Sequence, residues 1–409
     1  MGYIDLGKLY YTDKDKYRTE YSSRFSSPDA IHLNFKIKKN PAFFVQTSEV
    51  SNLAIQILKT DKKISKINGQ LPRVAITQFT RRCLIDEIIL TNKIEGVYST
   101  RREISGVLDE LSTKTKRSQK RRRFFGLVAE YQKLQERARI ALDTCQDIRN
   151  LYDDIVLQEV VEENPNNAPD GKIFRKDSAS IHTKTDKEIH RGVYPENAIC
   201  EEMDKALSFL KNDEIELLYR VSAFHYMLEY IHPFYDGNGR LGRFIVSYLL
   251  SQELDPLLAY RLSYTITQNI TSYYDAFKVC NEPKNLGDIT PFIIMMLSMV
   301  KESIFQLEIA LDKRLTRLKR YESTIARLPN GENARTGKVY YGLIQAALFA
   351  ENGISTRELE EYLENSYSTV RNELTIVERA NLLKVKKVGK EKFYSLDLEK
   401  LDKIIFEKE

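Results

Sequence analysis

No apolar run in this sequence approaches the roughly 20 residues that a bilayer-spanning helix needs, so a membrane-embedded chain is not expected. Cysteine is scarce: the four in 409 residues (Cys83, Cys145, Cys200, Cys280) are scattered without paired spacing. Neither a zinc site nor a disulfide framework is therefore indicated. The first residues, MGYIDLGKLYYTDKDKYR, carry charges where a signal peptide needs an apolar stretch. A dominant charge is missing too. Lys and Arg total 63 against 58 Asp and Glu, and the net +5 is spread along the chain. That gives little reason to expect nucleic acid as a partner of the whole molecule. One basic run, Lys114 to Arg123, reads as a solvated loop. Repeats and low-complexity tracts are absent as well, and the expectation is a cytoplasmic protein with no membrane partner.

What is present is the balance of a globular protein, 42% apolar and 30% charged, at a length that predicts two or three domains. Residues 1–45 are polar and tyrosine-rich, with an alternating stretch, Ile31 to Ile37, that predicts a strand. Residues 46–152 have helical apolar spacing with few glycines or prolines to interrupt it. A turn-rich loop, Glu163 to Gly171, follows within 153–310, which is again mostly helical apart from Phe174–Tyr194. A charged helix from Gln306 to Arg327 leads into a linker, so 311–334 is set apart from 335–409, which has its own pattern.

The chemistry concentrates in Glu229-Tyr-Ile-His232-Pro-Phe234-Tyr-Asp236-Gly237-Asn238-Gly239-Arg240-Leu241-Gly242-Arg243. Upstream, Leu217, Leu218, Val221, Phe224, Leu228 and Ile231 predict a buried helix that Pro233 stops. Downstream, Leu241, Phe244, Ile245, Tyr248 and Leu249 mark a second helix. Gly-Asn-Gly then lies at a helix N-terminus, where free N–H groups and the helix dipole favour an anion. Arg240 and Arg243, three apart on the first turn, suit a polyphosphate. Asp236 is an oxygen ligand placed for a divalent cation, and His232 titrates near neutrality and can accept a proton. Gly-Asn-Gly alone would fit an ordinary capped helix junction; the whole set in one short loop does not.

At these residues the chain resembles the Fic family, whose motif H-x-F-x-[D/E]-G-N-G-R-x-x-R is matched at every defined position. The resemblance implies a mainly α fold, a helical core with a small β-hairpin flap, over most of residues 45–310. It implies transfer of AMP from ATP to a Ser, Thr or Tyr hydroxyl of a target protein or of the chain itself. His232 would be the base, Asp236 the ligand of Mg²⁺ or Mn²⁺, and Phe234 an apolar anchor. Gly237, Asn238, Gly239, Leu241 and Gly242 would form the nucleotide-binding turn, with Arg240 and Arg243 on the outer phosphates. Asn269 matches a position that relatives place near the nucleotide, with a surface amide as its other reading. The segment Gly171–Ile181 resembles the flap that pairs with the target backbone, with Ile181 at its docking end, although Ser178 and Ala179 are small where a branched residue is common. His225 reads as a core histidine, and His182 and His190 have no ligand-like neighbours in sequence.

Far upstream, Thr91-Asn-Lys-Ile-Glu95-Gly96 resembles the family's inhibitory motif [S/T]-x-x-x-E-[G/N], which makes 46–152 the region bearing an N-terminal inhibitory helix. Glu95 would pair with Arg243, take the γ-phosphate seat and leave ATP misaligned. Residues 335–409 resemble a winged helix-turn-helix: helices Val339–Phe349, Thr356–Leu363 and Val370–Arg379, then Leu383–Leu396 alternating around Gly389. Such a module serves DNA, through Tyr367, Ser368, Arg371, Asn372 and the wing lysines, or docks protein. The expected activity is a protein adenylyltransferase autoinhibited by Glu95. A nucleotide-sensing DNA-binding regulator, or removal of AMP at the same site, are the alternatives, and a homodimer is left open.

Overall fold

The structure, a computed structural model, describes residues 3–112, 123–182, 188–389 and 391–406, with 112, 181, 182 and 406 as backbone only. The basic run 114–122 therefore lies outside the described residues, as does Lys390. No helix among the described residues is long and apolar enough to cross a membrane. The chain forms two compact units, one of 1–61 with 84–305, the other of 62–83 with 306–409. This division differs from the linear one: the N-terminal extension belongs to the first unit and a piece of the upstream helical region belongs to the second.

In the first unit, the expected strand is Ala30–Ile37, paired antiparallel with Asn40–Val45. Its alternation buries Leu33, Phe35 and Ile37. Phe43 bonds through its amide to the Gly287 carbonyl (3.1 Å) and through its carbonyl to the Ile289 amide (2.8 Å). Buried Asp288 accepts from Tyr3 at 2.5 Å and pairs with Arg24 at 3.2 Å. These bonds explain why the N-terminal extension folds with the unit.

The unit centres on the helix Leu217–Ile231, termed the leading helix, which is apolar nearly all round and buries residues from Leu218 to Ile231. The helix Glu196–Leu210 and the trailing helix Asn238–Glu253 pack beside it. His225 is 1% exposed, bonds Tyr273 Oη through Nε2 (2.7 Å), and burial holds its imidazole down at about 3. It is a core histidine held through Nε2, with its buried Nδ1 unpartnered among the described residues.

The hairpin is displaced from the segment expected to form it. Glu196 accepts the amides of Lys172 (3.0 Å), Ile173 (2.6 Å) and Phe174 (3.0 Å), which folds 171–174 into a turn. Strand pairing begins only at Ser180–His182, opposite Glu188–Arg191, and Ile181 lies opposite His190.

In the second unit, the expected separate linker helix is the end of one continuous helix, Thr290–Glu322, whose first part lies in the first unit. The next helix begins at Ala334, five residues before its apolar periodicity, because Asn333 Oδ1 accepts the Arg335 and Thr336 amides (2.9 and 3.3 Å). Ser355 and Glu358 form a capping box on Thr356–Leu363, and Tyr367–Arg379 follows. The two strands Leu383–Val388 and Glu391–Leu396 gain a third, Ile354–Ser355, in the order 354–355, 391–396, 383–388. Glu373 turns inward to accept from Thr336 Oγ1 (2.8 Å), which removes one acid from the exposed face of its helix.

Candidate active site

The leading helix ends at Ile231, and His232 takes a left-handed conformation (φ 53°, ψ 62°) that turns the chain out of the helix. Two clamps then fix the loop. Phe234 is fully buried, stacked on Tyr152 at 3.6 Å between ring centres and meeting the edge of Phe174 at 5.5 Å. Asn238 spends both ends of its amide on Phe234, accepting from its N–H (3.0 Å) and donating to its carbonyl (2.8 Å). Gly237 has φ 81°, which glycine takes without strain. Asp236 is held through its carbonyl by Tyr152 Oη (3.1 Å), and its Oδ1 accepts the Gly237 amide (2.5 Å).

This loop forms the floor of a cavity of about 290 Å³. His232, Asp236, Gly237, Asn238, Gly239 and Arg243 line it, together with Glu95 and Glu229. The opposite wall comes from the helix Ile270–Asn281: Tyr273, Tyr274, Phe277, Lys278 and Asn281. Asn281 Oδ1 accepts from Tyr226 Oη (2.6 Å), which leaves its NH₂ as the group available to a ligand. That wall was not found by sequence reading; the signal was the aromatic run Tyr273-Tyr274-x-x-Phe277 at helical spacing.

Burial, with the nearby His190 and Arg175, pushes the His232 imidazole down to about 3, so it is a neutral base throughout the physiological range. Its Nδ1 has no partner among the described residues. Glu229 is pushed up to about 8 by burial and by Glu95 beside it, against the opposing pull of Arg243.

Arg243, 1% exposed, is gripped by the upstream motif from three directions. Its Nη1 pairs with Glu95 Oε1 at 2.8 Å, Nε donates to Thr91 Oγ1 at 2.9 Å and Nη2 to the Thr91 carbonyl at 3.0 Å. Thr91 lies in the last turn of the helix Arg73–Ile94, and Gly96 turns the chain at φ 76° just beyond Glu95. The Glu95 carboxylate rests on the first turn of the trailing helix, where a Cβ on Gly239 would collide with it. An anionic group thus occupies a helix N-terminus beside an arginine.

Five expected ligand residues stand differently. Asn238 faces the cavity by its backbone, because its side chain is committed to Phe234. Arg240 is off the cavity wall and 1% exposed, with Nε and Nη1 unpartnered among the described residues and Tyr152 and Glu159 within range of its charge. Leu241 faces the core, and Gly242 lies against His225 and Glu229. Asn269 is exposed away from the cavity, donating to the Thr265 carbonyl (3.0 Å).

Residues 142–250 match the family model described as Fic/DOC family. A segment of 69 residues, 17% of this chain, is 41% identical to 12% of the length of protein adenylyltransferase Fic of Aedes aegypti. A segment of 106 residues, 25% of this chain, is 30% identical to 19% of the length of the Drosophila erecta protein of the same name. The matches thus span less than a fifth of these relatives. Among solved structures, a Fic family protein from Desulfovibrio desulfuricans G20 superposes with a TM-score of 0.51 at 21% identity, over 86% of this chain and 96% of that one. Residues 142–250 are thus similar to the Fic/DOC family, and over most of its length the chain has the fold of a Fic family protein.

Proposed function

We propose that this protein transfers AMP from ATP to the hydroxyl of a protein side chain and that Glu95 holds the activity down. The observation that carries this reading is the Glu95–Arg243 pair, 2.8 Å long, resting on the helix N-terminus next to His232 and Asp236. Phosphates would take the seat that the carboxylate occupies, beside the loop amides of Gly237 and Gly239. The aromatic wall and the Asn281 amide would receive the base. His232, neutral as described, would accept the proton of the attacking hydroxyl as its oxygen bonds to the α-phosphorus. The bond from that phosphorus to the β-phosphate bridging oxygen breaks, and pyrophosphate leaves.

Asp236 has one oxygen on the Gly237 amide and lines the cavity, a donor set that fits Mg²⁺ or Mn²⁺ bound by one carboxylate and by substrate phosphates. When bound, the ion would neutralise charge on the leaving pyrophosphate. Asp236→Ala should therefore lower transfer by at least tenfold, and excess chelator should stop the wild type. Turnover unchanged in chelator would refute the metal requirement.

A reverse reading, removal of AMP from a target, is favoured by one observation: the Glu95 side chain is 25% exposed on the cavity wall and could orient a water there. Residues 335–409 we infer to be a winged helix-turn-helix that contacts DNA. Lys384, Lys386, Lys387 and Lys392 are exposed on its hairpin, and Arg371 and Asn372 on the helix Tyr367–Arg379. Duplex affinity should fall as salt rises, with a log–log slope of about −0.9 for each phosphate contacted. Binding that ignores salt, or no shift of any duplex at low salt, would leave protein docking in its place.

A further inference from the structure

Arg175 is fully buried, yet no carboxylate pairs with it among the described residues. Burying an unpaired guanidinium is costly, and a hydrophobic side chain of similar volume would serve packing better. All its acceptors are backbone carbonyls. Nε donates to His232 (2.9 Å), Nη2 to Val193 (2.7 Å) and to Ile231 (3.5 Å), and Nη1 to Asp177. Its own amide donates to the Pro233 carbonyl at 3.3 Å.

These carbonyls belong to two structures that must act together. Ile231 and His232 end the leading helix, where carbonyls lack helical partners and the dipole favours a cation. His232 also stands at φ 53°, which residues other than glycine adopt reluctantly and which needs a grip from outside the turn. Asp177 and Val193 flank the paired strands Ser180–His182 and Glu188–Arg191, whose base is closed by the Gly192 amide on the Ala179 carbonyl (2.9 Å). The Val193 amide in turn donates to the Ile231 carbonyl at 3.0 Å. Gly192 permits this approach, since a Cβ there would come within 2.9 Å of His232 Cβ and collide with the Arg175 guanidinium.

Granted the AMP-transfer reading, we propose that Arg175 is a positioning residue: its guanidinium ties the hairpin to the His232 backbone, so that the hairpin's placement sets the aim of the base. Arg175 touches neither cavity nor substrate. Its loss should therefore act on the chemical step and spare nucleotide binding.

The test uses the full chain carrying Glu95→Gly, with Arg175→Met and Arg175→Lys added separately. A misplacement near 1 Å costs about a hundredfold in rate, so kcat for AMP transfer should fall about that much in Arg175→Met. Lysine keeps the charge and loses the planar fork, so the loss there should be about tenfold. The KM for ATP should stay within about threefold in both. The His232 imidazole resonance, assigned by its absence in His232→Ala, should titrate higher than in the parent in Arg175→Lys as well as in Arg175→Met. Because lysine keeps the charge that lowers the imidazole, the shift in Arg175→Lys reports movement of the ring towards water and is the deciding one. Full kcat in either variant would overturn the proposal. So would kcat and ATP affinity falling in step, the mark of a merely structural residue. Absence of transfer in the Glu95→Gly parent is a failure of the AMP-transfer reading alone. The imidazole titration then decides on Arg175, and an unchanged curve overturns its role.

Discussion

Exchanging His232 for alanine should lower AMP transfer by two to four decades, the range a positioned general base supplies, while ATP affinity should stay nearly unchanged. The proposed phosphate seat rests on Gly239 and Arg243 beside Gly237, all lining the cavity, and the substitution leaves them in place. Nor should the loop collapse, because the Phe234–Tyr152 stack and the Asn238 clasp hold it independently of the imidazole. The pH profile carries the same claim. An imidazole depressed to about 3 is already deprotonated at pH 5, so kcat/KM should show no acid limb near 6.5 from the free protein. The sign follows from burial disfavouring the cation: protonation costs activity only well below pH 5. Comparable labelling by His232→Ala and wild type, across that range, would remove His232 from the mechanism.

Replacing Glu95 by glycine should raise AMP transfer by one to two decades. A charge-assisted bond to arginine is worth about 1.5–3 kcal/mol, and each 1.36 kcal/mol is about tenfold in rate. The pair is well placed to deliver most of that, since Arg243 is 1% exposed and Glu95 only 25%. The gain does not require Arg243 to reorient. Thr91 still holds its Nε and Nη2, so the freed Nη1 stays aimed at the helix N-terminus where an outer phosphate would lie. Arg243→Ala added to Glu95→Gly should cancel the gain. In the reverse reading, Glu95→Gly loses AMP removal instead, so the one variant assayed in both directions separates the two chemistries.

The loop 232–243 was legible because its parts are local: a helix stopped by proline, a glycine turn and two arginines three apart. Glu95 and Arg243 were legible only as a pair of patterns, since 148 residues separate the two and periodicity does not name a partner. What escaped was the direction of side chains within the motif. Asn238 looked like a ligand and is a clasp on Phe234; Arg240 looked like a twin of Arg243 and does not line the cavity. Helical spacing fixes which side of a helix two residues share, but not which of two equally buried arginines lines the cavity. Asn269 and Asn281 stand at opposite ends of one helix, Ile270–Asn281, and only Asn281 lines the cavity, because an amide carries no sequence mark of which end of its helix will face the site. The hairpin shifted for a similar reason: Glu196, outside the segment, captures three amides that the strand would have used.

The most direct measurement is intact-mass and radiolabel analysis of the purified protein carrying Glu95→Gly, incubated with ATP and Mg²⁺ together with a cell extract as source of hydroxyl targets. Label from α-labelled ATP should enter protein as an adenylyl group and label from γ-labelled ATP should not. Incorporation should be far greater than in wild type and absent once His232→Ala is added. Transfer of the γ-label, or adenylylation equal in Glu95→Gly and wild type, would contradict the account.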